Sequence, residues 1–204
     1  MTFNRRSMLG LLGASAVVLT AGGGAFVLTR DPAGARVPWS VAGERFEDPR
    51  LPAVSYAIFA PNPHNRQPWI VDLRTEGEVH LFCDTDRFLP ETDPFGRQIV
   101  IGLGCFLELM KIAAEADGYA VEVDGFPEGA SEERLDNRPV AHVRFTKKAG
   151  IPMDPLFHAI LRRRSNKEPY DTDRAVPASV LMAVTAEGRD NVSSGATANP
   201  DDVS

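Results

Sequence analysis

The densest polar chemistry in this chain falls in two short segments. The first runs Ala60-Pro61-Asn62-Pro63-His64-Asn65-Arg66-Gln67-Pro68-Trp69. It sets amide and imidazole side chains on a backbone stiffened by prolines, an arrangement suited to presenting fixed hydrogen-bond donors and acceptors to a flat polar ligand. The competing reading is an Asn/Pro turn whose side chains satisfy their own backbone. The second segment, Arg162-Arg163-Arg164-Ser165-Asn166-Lys167, gathers three guanidinium groups, a hydroxyl and an ammonium. Charge-assisted donors of this kind can hold a phosphate. The competing reading is a solvated basic helix end favoured by the helix dipole.

The flanking sequence supplies elements to position both segments. Asp48-Pro49 predicts a helix start, Asp as N-cap and Pro at the first helical position. Leu51, Val54, Ile58 and Phe59 follow at helical spacing, with a stop before Pro61. Residues 69–73 and 79–83 read as strands around a turn at Thr75-Glu76-Gly77. Asp84 to Gly96 is a loop. Ile99, Leu103, Phe106, Met110 and Ala113 then mark a long helix reaching Gly118. Gly102 and Gly104 lower its propensity, so another backbone is expected close to both. Residues 119–123 and 140–145 read as strands. A helix is expected over 154–164 with Leu156, Ile160 and Leu161 inward, and another from Val176-Pro177 to near Gly188. Residues 36–48 read as a linker or arm.

At the amino terminus, Asn4-Arg5-Arg6-Ser7 precedes an uncharged stretch from Ser7 to Thr29, rich in Ala, Gly, Val and Leu. Paired arginines before a weakly apolar, Gly-containing run resemble the signals of the twin-arginine export pathway. The partner so implied is the twin-arginine export machinery, and the destination is the periplasm or cell envelope. Ala33-Gly34-Ala35 offers a small-x-small cleavage site. Left uncut, residues 7–29 are long enough to anchor the chain in a membrane.

Composition narrows the remaining options. The chain holds 28 Asp plus Glu against 22 Lys plus Arg, so it lacks the basic footprint of a nucleic-acid binder. Two cysteines, Cys83 and Cys105, imply no disulfide framework and read as buried free thiols. His64, His80, His142 and His158 have no ligand spacing with each other or with the cysteines, so no metal site is expected. No Gly-x-Ser-x-Gly elbow supports a hydrolase.

Together, Asn65-x-Gln67-Pro68-Trp69 after a helix and Arg163-Arg164-Ser165-x-Lys167 after another resemble the nitroreductase family of flavoproteins. Asp93-Pro94-x-Gly96-Arg97 and Asp84-x-Asp86-Arg87 add to the likeness, which runs from about Pro49 to Gly188. The order of motifs is most similar to exported members with two nitroreductase-like halves fused in one chain. The resemblance implies an α+β fold, a mostly antiparallel sheet flanked by helices, with residues 1–35 as the signal segment, 36–150 as a first half and 151–204 as the start of a second. It further implies FMN as cofactor, held by Arg163, Ser165 and Lys167 on one side and by Asn62, Pro63, His64, Asn65 and Gln67 on the other.

The family's serine-rich loop is here Asn62-Pro63-His64. The second half stops at Ser204, so a truncated chain is expected, whose longer form would be an intrachain pseudo-dimer. The implied activity passes electrons through FMN to a nitroaromatic or quinone-type small-molecule acceptor, with no side chain required as general base. Two other readings follow from the same features. One is a protein that sequesters FMN without turnover; the other is an exported interaction module with no cofactor.

Overall fold

Strands form where the sequence alternates. β1 (Trp69–Asp72) and β2 (Glu78–Cys83) make an antiparallel hairpin, with Trp69 opposite Cys83 and Asp72 opposite His80. β3 (Tyr119–Gly125) and β4 (Ala141–Lys147) pair antiparallel, and β4 then pairs antiparallel with β2. The resulting sheet has the order β1-β2-β4-β3. This computed structural model describes residues 33–169, 171, 173–186 and 194–197. The expected signal segment up to residue 32 lies outside the described residues.

Alternation sends one side of each central strand inward. Val79, Leu81 and Cys83 of β2 and Ala141, Val143 and Phe145 of β4 are buried. They pack in one core with Ile99, Leu103, Phe106 and Met110 of α3 (Arg97–Ala116), and with Ala53 and Ala57 of α2 (Arg50–Ala57). The apolar stripe that predicted α3 is therefore the stripe that covers the sheet. The opposite face carries Ile70 and Phe82 on the β1–β2 side and polar residues such as Glu78, His80, His142 and Arg144 beyond them, as a one-sided antiparallel sheet allows. There the rings of His80 and His142 stack across strands at 4.0 Å, and His80 also meets Glu78 at 3.1 Å. The fold class is thus α+β, with an antiparallel sheet and helices on one face.

The N-cap position of α2 is Pro49 rather than the expected Asp48, whose Oδ1 accepts the Arg50 N–H at 2.9 Å from one residue further out. Asp48 also pairs with the Arg50 side chain at 2.6 Å. That guanidinium is buried and donates to the carbonyls of Leu73, Thr75 and Glu78, which locks α2 to the β1–β2 turn. Nothing in the helical pattern marks Arg50 for this task.

Three expectations are corrected. Residues 33–41 are a helix, α1 (Ala33–Val41), rather than an arm. Pro38 lies inside it, which is why the sequence read as non-helical. Leu156 is 55% exposed, because Pro155–Arg162 is a 3-10 helix and not an α-helix. Three residues per turn put Phe157 and Ile160 on the inner side instead. Cys83 is a buried free thiol, but Cys105 is only half-buried.

The described residues form two compact units, one ending at Arg163 and the other starting at Arg164. The 3-10 helix expected to open the second half packs in the first unit, where Ile160 is buried with Phe59 and Ile112. In the second unit the helix foreseen from the Val176-Pro177 start is α4 (Ala178–Ala186). Among the described residues, no helix is long and apolar enough to cross a membrane.

Candidate functional site

The loop joining α2 to β1 is held in an unusual backbone shape. His64, Asn65 and Gln67 all have positive φ, at 49°, 51° and 50°. L-residues adopt this region at a cost, and such residues concentrate where surrounding contacts over-determine the chain. Five hydrogen bonds and one close packing contact do so here. The Asn62 amide donates to Ala60 O at 3.0 Å and accepts the Gln67 N–H at 2.7 Å. Asp84 N–H reaches Pro68 O at 2.8 Å. Arg66 Nε donates to Arg87 O at 3.0 Å, and Arg87 Nη1 returns a bond to Arg66 O at 2.8 Å. Finally, a Cβ on Gly102 would stand 3.2 Å from the Asn62 Cβ, so α3 approaches the loop closely only because that residue is glycine.

The two acidic motifs that accompanied the loop turn out to be braces. Asp84 accepts from the Asp86 N–H and pairs with Arg87 at 2.8 Å, which sets the turn that Arg66 grips. Asp93 is buried and accepts the Ile99 N–H at 3.0 Å, satisfying the start of α3.

Beside the loop lies a cavity of about 420 Å³ lined by Ala35, Pro38, Trp39, Ile58, Phe59, Ala60, Asn65, Gln67 and Arg163. Four chain segments meet there. Arg163 is fixed at it by donating Nη2 to Phe59 O at 2.8 Å, across 104 residues of sequence. Trp39 and Phe59 form an aromatic wall, their centroids 4.4 Å apart, and Trp39 Nε1 donates to Leu161 O at 3.3 Å. A wider groove of about 600 Å³ runs along the β1–β2 hairpin. Its charged pair, Asp72 and Arg74, is already joined at 2.5 Å.

Among the expected site residues, the structure brings Asn65, Gln67 and Arg163 together. Asn62 turns its amide inward to close the loop, and Pro63 abuts Gly102; neither lines the cavity, nor does His64. Ser165 and Lys167 are exposed residues of the second unit. The sequence reading missed the contribution of α1: Trp39 was the available signal, a large aromatic in a segment too polar to need one.

Neither cysteine is poised for reaction. Burial pushes the Cys105 thiol up; the nearby Arg163 cation works against this and Glu108 adds to it. Burial, with Asp84, pushes Cys83 up to about 12. Both remain thiols near neutrality, unsuited to nucleophilic work. Among the described residues, no group of three His, Cys, Asp or Glu side chains is arranged to hold a metal ion.

The antiparallel α+β fold thus brings a rigid amide-bearing loop and a guanidinium to one aromatic-walled cavity. No protein-family model matches the sequence. The chain is similar to a Mycobacterium tuberculosis protein named "Putative NAD(P)H nitroreductase acg", 34% identical over 140 residues, which is 66% of this chain and 40% of that protein. Another from the same organism, named only as uncharacterized, is 32% identical over 126 residues, 59% of this chain and 35% of that one. A third, "Putative NAD(P)H nitroreductase Rv3131", is 32% identical over 117 residues, 57% and 33% respectively. The chain therefore spans about a third to two fifths of the length of the curated relatives it matches.

Proposed function

We propose that this chain is an exported, nitroreductase-like oxidoreductase unit that binds FMN at the cavity between Trp39, Phe59, Asn65, Gln67 and Arg163. One observation carries the reading: Arg163 and the 62–67 loop, remote in sequence, converge on a single cavity. The relatives named as NAD(P)H nitroreductases support it.

The residues present suit the group. Trp39 and Phe59 offer an apolar wall for a planar ring, and the Asn65 and Gln67 amides offer both donors and acceptors to its polar edge. Arg163 places fixed positive charge where a ring that gains electrons becomes anionic. When bound, FMN would supply the electron-transfer chemistry, leading from a nicotinamide donor to a nitroaromatic or quinone acceptor. The chain's own work is to position the ring, exclude water along the Trp39 side, and stabilise charge.

The test begins with full-length chain expressed in the cytoplasm with FMN present. Flavin absorbance that co-purifies with the protein, and is lost at least tenfold more readily in Gln67→Ala, supports the reading. A colourless protein under saturating FMN overturns it in favour of an interaction module. Rapid bleaching by NADPH in stopped flow supports turnover, whereas bound flavin that never bleaches makes the protein a flavin sequesterer. Export is tested separately, by fusing residues 1–35 to a folded reporter. Translocation that disappears on changing Arg5 and Arg6 together to Lys supports the twin-arginine route; translocation that persists removes it.

A further inference from the structure

The small-x-small triplet Ala33-Gly34-Ala35, which in sequence offers a cut at the end of a signal segment, is not an extended stretch. It is the start of α1 (Ala33–Val41). This helix has little of its own to hold it. Its 9 residues fall short of the roughly 12–15 that an isolated helix needs in water. Pro38 lies inside it and has no N–H to give the Gly34 carbonyl four residues back, and its ring crowds that same carbonyl. The weakening falls on the triplet itself.

Contacts with the rest of the fold hold α1 instead. The Trp39 ring lies 4.4 Å from that of Phe59, and Trp39 Nε1 donates to Leu161 O at 3.3 Å. Just past the helix, the Gly43 N–H donates to Ser55 Oγ at 2.9 Å. A Cβ at Gly43 would stand 2.5 Å from the Tyr56 hydroxyl, so the chain passes α2 that closely only as glycine. Ala35 and Pro38 complete one wall of the cavity. Helical shape and docking therefore stand or fall together.

We propose that the Ala35–Arg36 peptide bond is a processing site, and that docking of α1 decides whether it is cut. The agent is an endopeptidase that reads small residues at the first and third positions before the cut. Such an enzyme takes its substrate as an added strand, pairing with main-chain N–H and C=O groups. In the docked helix those groups are turned along the helix axis. The bond is then refused, although Gly34 to Val37 are exposed. Once α1 undocks, the triplet extends and is cut. Water adds across the bond, leaving a carboxylate on Ala35 of the released segment and a new α-amino group on Arg36. Cutting thus tracks the open fraction of α1. The released segment takes Ala35 out of the cavity wall, so a cut chain has an incomplete cavity. By linkage, a ligand that binds the complete cavity lowers the open fraction and keeps the chain whole. This last step rests on the FMN reading; control of the cut by docking does not.

The full chain in non-ionic detergent is exposed to a purified leader peptidase, and intact mass with amino-terminal sequencing locates the cut. The parent should be cut slowly, with Arg36 as the new first residue. Trp39→Ala, which releases the helix, should be cut at least tenfold faster. Pro38→Ala, which restores the missing bond to the Gly34 carbonyl, should be cut at least threefold more slowly than the parent. Melting curves report whether Trp39→Ala stays folded; if it does not, the slowing in Pro38→Ala decides. Equal rates in all three chains, or an intact Ala35–Arg36 bond even in Trp39→Ala, overturn the proposal. Saturating FMN should slow the parent at least tenfold, with retained flavin read by absorbance. Flavin that is retained without slowing the cut overturns the coupling to ligand. Flavin that is not retained is failure of the FMN reading, and the comparison of Trp39→Ala with Pro38→Ala, run without flavin, still decides the site.

Discussion

Arg50 and Arg163 both hold main-chain carbonyls far away in sequence, but in different surroundings. Arg50 is buried, and its guanidinium is surrounded by Asp48 and by the carbonyls of Leu73, Thr75 and Glu78. Each of these contacts belongs to the fold. Arg163 donates to Phe59 O but sits on an exposed stretch and lines a cavity. The same side chain acts as an internal staple in one place and stands at the wall of a cavity in the other. Enclosure decides which, because a guanidinium whose partners are all internal has nothing to offer a ligand.

Replacing Arg50 by Met should produce the largest effect. It orphans buried carbonyls and leaves Asp48 without its partner, for a loss of about 3 kcal/mol in chemical denaturation. Flavin binding by the remaining folded fraction should be unchanged; a loss of binding without a loss of stability would erase the contrast.

Gly102→Ala comes next. Its Cβ would press on Asn62, where overpacking costs about 1–3 kcal/mol. Stability and flavin retention should fall together, because the loop it displaces carries Asn65 and Gln67. Arg163→Gln should separate the two quantities. Retention of FMN is expected to drop about tenfold, or about 1.4 kcal/mol, with a melting temperature within a degree or so of the parent.

Acid sharpens the comparison further. The Arg50 guanidinium holds the Asp48 carboxyl below the usual carboxylate range. A group depressed in the folded state contributes stability above its unfolded pKa of about 3.9 and loses it as pH falls through the folded value. Stability should therefore be level from neutrality to about pH 5 and decline below pH 4, and the Arg50→Met variant should show a shallower acid decline. The smallest effect is a gain: Gly104→Ala should raise stability by up to about 1 kcal/mol, since nothing among the described residues opposes the added methyl.

Much of this was legible in the residues. The period-two strands and the α3 stripe are written locally, since alternation and helical spacing directly state which side chains share a face. The polar loop was legible as a rigid feature because three prolines and two asparagines leave few backbone options. Gly102 and Gly104 look alike in sequence, yet among the described residues only Gly102 meets another backbone. Helix α1 was hidden by Pro38, and Leu156 was misplaced because nothing local distinguishes a 3-10 turn from an α-helix there.

The sequence by itself determined the sheet, its covering helix and the chemical types available for a site. Tertiary structure alone decided that Asn65 and Gln67 would meet Arg163 and that Trp39 would wall the cavity. Local preference acts over a turn or a strand length, whereas these placements come from packing between segments up to 122 residues apart, as Trp39 and Leu161 are. No local pattern encodes a distance of that kind.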